Sequence, residues 1–88
     1  MTVPSFLDLL LETHRVMIDG RYAGSIHHVD YPRPELCWIS ATDDDQDLGC
    51  SVTFGQALGA IVTDWTSCHR RLPATITVRT VYARPDGP

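Results

Sequence analysis

The pattern of apolar and polar positions begins with a predicted helix from Ser5 to His14. Ser5 is a suitable N-cap, and Asp8 lies near the positive end of the helix dipole. At about 100° per residue, the apolar side chains of this segment spread over more than half of the circumference, which is wider than a helix lying on one sheet needs. They are Phe6, Leu7, Leu9, Leu10 and Leu11. We therefore expect part of this helix to be covered by something beyond its own sheet.

The next segment predicts a β-hairpin over residues 15–29. Strand-like residues flank Asp19 and Gly20, a dipeptide that tolerates the positive φ angles of a tight turn. A loop follows, because Pro32 and Pro34 each remove an amide donor and disfavour helix at the preceding residue.

Residues 35–42 predict a third strand. Leu36, Trp38 and Ser40 alternate with Cys37, Ile39 and Ala41, so both faces are largely apolar. A strand of this kind belongs inside a sheet, or is covered on its second face by the first helix or by another subunit.

A long amphipathic helix is predicted from Phe54 to about Arg71. Thr53 and Gln56 form a capping-box pattern, and Pro73 ends the helix. Apolar residues recur at helical spacing, with Cys68 as a small buried thiol at the end of the stripe. The series is Phe54, Ala57, Leu58, Ile61, Val62, Trp65 and Cys68.

The last predicted element is a half-buried strand in residues 74–82. Ile76, Val78 and Tyr82 point inward, and Thr77 and Arg79 point outward. The order α-β-β-β-α-β predicts a single α+β domain over residues 1–84, an antiparallel sheet with the long helix packed on one face. Residues 85–88 are predicted to be a frayed tail.

Composition places the chain among ordinary globular domains, with 88 residues, 43% of them hydrophobic and 20% charged. The net charge of −4 argues against a broad attraction to nucleic acid. All seven basic residues are arginine, which suggests a GC-rich genome such as that of an actinobacterium or its phage. The N-terminal residues, whose apolar run is interrupted by Asp8 and Glu12, lead us to expect neither a leader peptide nor a membrane span. Three irregularly spaced cysteines predict reduced thiols and a cytoplasmic location.

Residues 41–50 carry an acidic cluster formed by Asp43, Asp44, Asp45 and Asp47. Counted as a calcium loop from Asp43, position 6 is Leu48 and position 12 is Phe54, so the turn glycine and the glutamate ligand are both missing. We interpret the segment as a solvated connection whose negative charge precedes a helix. The alternative is an acidic surface for a basic partner.

The remaining chemistry is sparse. Zinc ligands could be drawn from the cysteines and one histidine, but no closely spaced ligand pair forms half of a site. These weak candidates are Cys37, Cys50, Cys68 and one of His27, His28 or His69. Neighbouring His27 and His28 point to opposite faces of a strand. With no nucleophile elbow, phosphate loop or dinucleotide motif, we predict neither an enzyme nor a cofactor.

Nucleic-acid binding is the alternative function. Double-stranded-RNA-binding domains share the order α-β-β-β-α, but they place basic residues at the start of the second helix, where this chain has none. The arginines of the C-terminal third, Arg70, Arg71, Arg79 and Arg84, would carry such binding.

Three short fragments, LGC at 48–50, QAL at 56–58 and LP at 72–73, resemble HicB-type antitoxins, whose small β-β-β-α-β domains carry a Gly-Cys pair ahead of the helix. The resemblance covers these fragments alone and implies a small regulatory protein. Together with the excess apolar surface, it leads us to expect a non-enzymatic interaction module, either a homodimer or a subunit on a protein partner, phage-borne or antitoxin-like. The expected contact residues are Phe6, Leu7, Leu10, Tyr22, Trp38 and the four aspartates of the acidic cluster.

Overall fold

The computed structural model of this protein describes residues 9–30 and 37–85. They form an antiparallel five-stranded sheet and one helix, which is an α+β arrangement. The elements are β1 (Leu10–Ile18), β2 (Arg21–Val29), β3 (Trp38–Thr42), β4 (Asp47–Ser51), α1 (Phe54–His69) and β5 (Ile76–Ala83). The strand order is β4-β3-β2-β1-β5. β1 therefore lies between β2, which follows it directly in the sequence, and β5, the last strand.

The helix predicted from Ser5 to His14 is wrong over its second half. Residues 10–14 belong to β1, which pairs with β2 on one side and with β5 on the other. Backbone hydrogen bonds to the strands on both sides of β1 outweigh the preference of leucine for a helix, which is small in energy per residue. Ser5 to Asp8 lie outside the described residues.

The hairpin at Asp19 and Gly20 is confirmed. Their φ angles are 53° and 81°, the left-handed pair that a two-residue turn of the primed type requires. The third strand is also confirmed as interior, between β2 and β4, with Trp38 and Ser40 on the opposite face from Ile39 and Ala41.

The acidic connection is shorter than predicted, because Asp47 to Ser51 form β4 against β3. Asp43 to Gln46 make the turn. The backbone N–H of Asp45 donates to the carbonyl of Thr42, and Asp45 has a φ of 63°. Asp44 accepts a hydrogen bond from the Thr42 hydroxyl, and Asp47 accepts one from the N–H of Gly49 at 2.7 Å. These carboxylates shape the turn.

Helix α1 begins as predicted and ends two residues earlier, at His69 rather than Arg71. Thr53 Oγ1 accepts from the N–H of Gln56 at 3.1 Å, which confirms the N-cap. The helix stops at Arg70, whose φ of 55° lies in the left-handed region and whose N–H bonds the carbonyl of Thr66.

The main core lies between α1 and one face of the sheet, which we call the helix face. Its buried side chains are Val16, Ile18, Ala23, Ile26, Ala57, Ile61 and Trp65. Cys68 is exposed, so its predicted place in the apolar stripe is wrong. A smaller buried cluster of Leu10, Val29 and Cys37 lies on the opposite face, which we call the second face.

Candidate interaction surface

Strand β5 carries most of the exposed large apolar side chains of the described residues. Ile76, Val78, Val81 and Tyr82 are between 39% and 48% exposed. The prediction of a half-buried strand is therefore wrong, since every residue of β5 is exposed. Soluble domains seldom leave such an apolar strand at a sheet edge, because an edge strand offers its free backbone groups to other chains.

The position of α1 explains this exposure. The helix packs mainly on β2, β3 and β4, and β5 lies beyond them, on the far side of β1. Val78 pairs with the fully buried Val16 and projects from the helix face, yet it is 39% exposed. The sheet is wider than one helix can cover.

A β-bulge at Val81 divides the strand. Thr13 pairs with Tyr82 while the next residue, His14, pairs with Thr80, so Val81 is the extra residue. The bulge moves Tyr82 to the second face, which corrects its predicted inward direction. Residues 76–80 remain a regular segment with Ile76, Val78 and Thr80 on the helix face.

Asp19 fixes the start of β5. Its Oδ1 accepts hydrogen bonds from the N–H groups of Ala74 and Thr75, both at 2.9 Å, and its Oδ2 accepts from Arg71 Nη1 at 2.7 Å. The Thr75 hydrogen bond and then the Arg71 guanidinium hold the pKa of Asp19 below its ordinary value. The β1–β2 turn thus anchors the connection from α1 to β5.

A cavity of about 500 Å³ adjoins this anchor at the C-terminal half of α1. Arg71 lies over the Trp65 ring, 4.8 Å from its centroid, and His69 stacks on the same ring at 4.2 Å. Asp43 and Asp64 also line the cavity. The walls of this cavity contain both signs of charge, and Arg71 is already paired with Asp19. We therefore assign the residues of the cavity wall a structural role.

A second group of polar side chains lies on the helix face at the other end of the sheet. Glu12 Oε2 lies 3.5 Å from His14 Nε2 and 3.6 Å from His28 Nδ1. The His28 ring stacks on Trp38 at 3.9 Å, and Trp38 meets Phe54 edge to face. The adjoining cavity of about 410 Å³ has no thiol or hydroxyl among its described lining residues. This group joins the sheet to the first turn of α1.

His27 projects from the second face, opposite to His28, as the strand pattern predicts. Its Nδ1 lies 3.0 Å from Thr13 Oγ1 and its Nε2 lies 3.2 Å from Ser25 Oγ. Burial lowers the pKa of His27; the charge of Asp45 opposes this shift and His14 adds to it. Two hydroxyl partners and a lowered pKa describe a neutral, structural imidazole.

The predicted contact residues do not form one surface. Phe6 and Leu7 lie outside the described residues. Leu10 is buried, Trp38 lies half-buried under His28, and Tyr22 lies beneath the Arg15 guanidinium, 5.2 Å from it. The aspartates Asp43, Asp44, Asp45 and Asp47 are exposed near the β3–β4 edge, away from β5.

The arginines and the cysteines are likewise dispersed. Arg70 and Arg71 follow α1, near the start of β5, whereas Arg84 follows its end, about 25 Å away along the strand. Cys37 is buried on the second face, and Cys50 and Cys68 are exposed thiols. Within residues 9–30 and 37–85, no three His, Cys, Asp or Glu side chains are arranged to hold a metal ion. The weak zinc candidate His69 therefore belongs to no such group.

No family model, curated protein or solved structure matches this chain. Within the described part, no helix is long and apolar enough to cross a membrane. The class of protein is thus defined by the fold alone: a small antiparallel α+β domain whose edge strand β5 is exposed.

Proposed function

We propose that this protein is a non-enzymatic interaction module that works as a homodimer, joined through β5. The observation that carries the proposal is the exposed, apolar β5 at the edge of the sheet, next to the fully buried Val16 of β1. A second copy is the occupant we favour, because an antiparallel edge can pair with itself about a two-fold axis, the commonest symmetry of protein oligomers.

The regular segment 76–80 favours one register. A two-fold axis at Val78 would place Val78 against its symmetry mate and Ile76 beside Thr80 of the second copy, all on the helix face. On the second face, Thr77 would lie opposite Arg79, so the arginines of the two copies would not meet directly. The bulge at Val81 would end the pairing.

Size-exclusion chromatography with light scattering tests the proposal on the wild type and on Val78→Glu. We expect a dimer for the wild type and a folded monomer for Val78→Glu, because paired carboxylates would meet at the axis. Val52→Glu is the matched control: Val52 is 53% exposed but lies outside β5, and this variant should remain a dimer.

A monomeric wild type, or a Val78→Glu variant that stays dimeric, would contradict the proposal. A wild-type monomer that pairs β5 with a strand of another protein would replace the homodimer with strand addition to that partner. We extend the proposal to a regulatory subunit in the cytoplasm, where the three cysteines would stay reduced.

A further inference from the structure

Arg15 and Arg79 lie directly opposite each other on the second face of the sheet. They are a register pair between β1 and β5, so their Cα atoms are about 5 Å apart. Both side chains are exposed, and among the described residues neither forms a salt bridge. Like charges in this position repel each other, and an anion between them would relieve that repulsion.

Among the described residues, the paired positions around the two arginines hold no carboxylate, although the charge of Asp45 reaches His27 in the outer row. The paired positions on β2, β1 and β5 form three rows across the second face: Tyr22, Met17 and Thr77; Ser25, Arg15 and Arg79; His27, Thr13 and Tyr82. Two guanidinium groups therefore sit among hydroxyls, two tyrosines and a histidine.

Two tyrosines lie in the rows on either side of the arginine pair. Arg15 lies over the Tyr22 ring at 5.2 Å, a cation–π contact that restrains its guanidinium. Tyr82 is 41% exposed in the row next to Arg79, about 7 Å along the strand. An aromatic ring at this spacing from paired guanidinium groups suits a ligand that carries both a phosphate and a base.

We propose that the second face binds single-stranded nucleic acid, with Arg15 and Arg79 on a phosphate and Tyr82 stacked on a base. A flat antiparallel face with exposed aromatic side chains is a platform on which single strands are read. This function goes beyond the proposed dimer, whose β5 pairing would run along the edge of the sheet and leave the arginine pair on the second face accessible.

Fluorescence anisotropy with a labelled mixed-sequence oligonucleotide, as DNA and as RNA, tests the proposal. We expect binding whose log affinity falls with log salt at a slope of about −0.7, for one neutralised phosphate. Arg79→Thr should weaken binding about tenfold and make the slope shallower, because one arginine alone neutralises that phosphate less completely. Tyr82→Leu should weaken binding without changing the slope.

Two further variants separate the site from general charge. Arg79→Glu puts a carboxylate opposite Arg15; it should abolish binding while keeping the melting temperature at or above that of the wild type. Arg21→Thr removes the same charge from the other face of the hairpin and should bind as the wild type does. Absence of wild-type binding, equal losses in Arg79→Thr and Arg21→Thr, or binding of polyglutamate in place of the oligonucleotide would overturn the proposal.

Discussion

Ile61 of α1 lies against Gly24 of β2 so closely that any side chain at Gly24 would collide with its surroundings. A Cβ built there falls 3.2 Å from Ile61 Cδ1 and 2.4 Å from the carbonyl oxygen of Ala41 on β3. The second atom is backbone and cannot rotate away. Gly24 thus sets the distance between helix and sheet.

Gly24→Ala should lower the free energy of unfolding by about 2 kcal/mol or more, because the helix and β3 must both move. Urea denaturation checks this value. Gly59→Ala is the control: Gly59 is exposed on α1 with nothing within 4 Å of a built Cβ, so alanine should stabilise by about 0.5–1 kcal/mol. A Gly24→Ala protein as stable as the wild type would show that the close contact is not rigid.

The N-cap of α1 gives a second prediction. Thr53→Ala removes the oxygen that accepts the Gln56 N–H, and it should cost about 1 kcal/mol of folding stability. Thr63→Ala, on the exposed middle of the same helix, makes the same chemical change without a cap and should be neutral or slightly stabilising. Equal losses in the two variants, measured by thermal unfolding, would argue against a capping role.

Asp19 should make stability depend on acid pH. Its folded pKa is lowered, so the unfolded chain takes up the proton first; the contribution is full above the ordinary pKa of 3.8 and is lost as pH falls through the folded value. Asp19→Asn keeps an oxygen for the Ala74 and Thr75 amides and tolerates the positive φ, but it removes the charge facing Arg71. The urea midpoints of variant and wild type should differ at pH 7, and the difference should shrink as pH falls below 3.8 towards the folded pKa of Asp19. A difference that persists in acid would assign the effect to shape alone.

His27 should weaken the fold over a different pH range. Because its pKa is lowered from 6.5, the unfolded state binds the proton more tightly, and stability falls as pH drops from 6.5 to the folded pKa, then levels off. NMR titration of the imidazole should give a midpoint below 6.5, and Ser25→Ala should leave the fold intact while altering that midpoint. A midpoint above 6.5 would mean that Asp45 outweighs burial.

The sequence predicted elements whose signal is local. Asp19 and Gly20 marked the hairpin, and Thr53 with Gln56 marked the start of α1, because turn and cap geometry depend on a few adjacent residues. The leucines before Glu12 gave the wrong element. Their pattern is helical over a short window, and what decides the element is the pairing of β1 with β2 and with β5, which these residues do not reveal.

The surfaces proposed for binding were less predictable. Arg15 and Arg79 are far apart in the sequence, and only the β1–β5 register brings them together. The exposure of Val78 likewise depends on where α1 lies and not on the residues beside it. The bulge at Val81 moves the Tyr82 side chain to the second face, and no residue in 74–82 interrupts the alternating pattern in a way that would predict it.

The place of β1 in the sheet also constrains the sequence of folding events. Val16 pairs with Gly24, 24 − 16 = 8 residues ahead, and with Val78, 78 − 16 = 62 residues ahead. A hairpin closes in about 1–10 μs, whereas the second pairing must close a much longer loop. During synthesis the free side of β1 stays open until residues 76–83 leave the ribosome. For that interval β1 is an unpaired edge, so we expect the incomplete sheet to associate with other molecules more readily than the finished one.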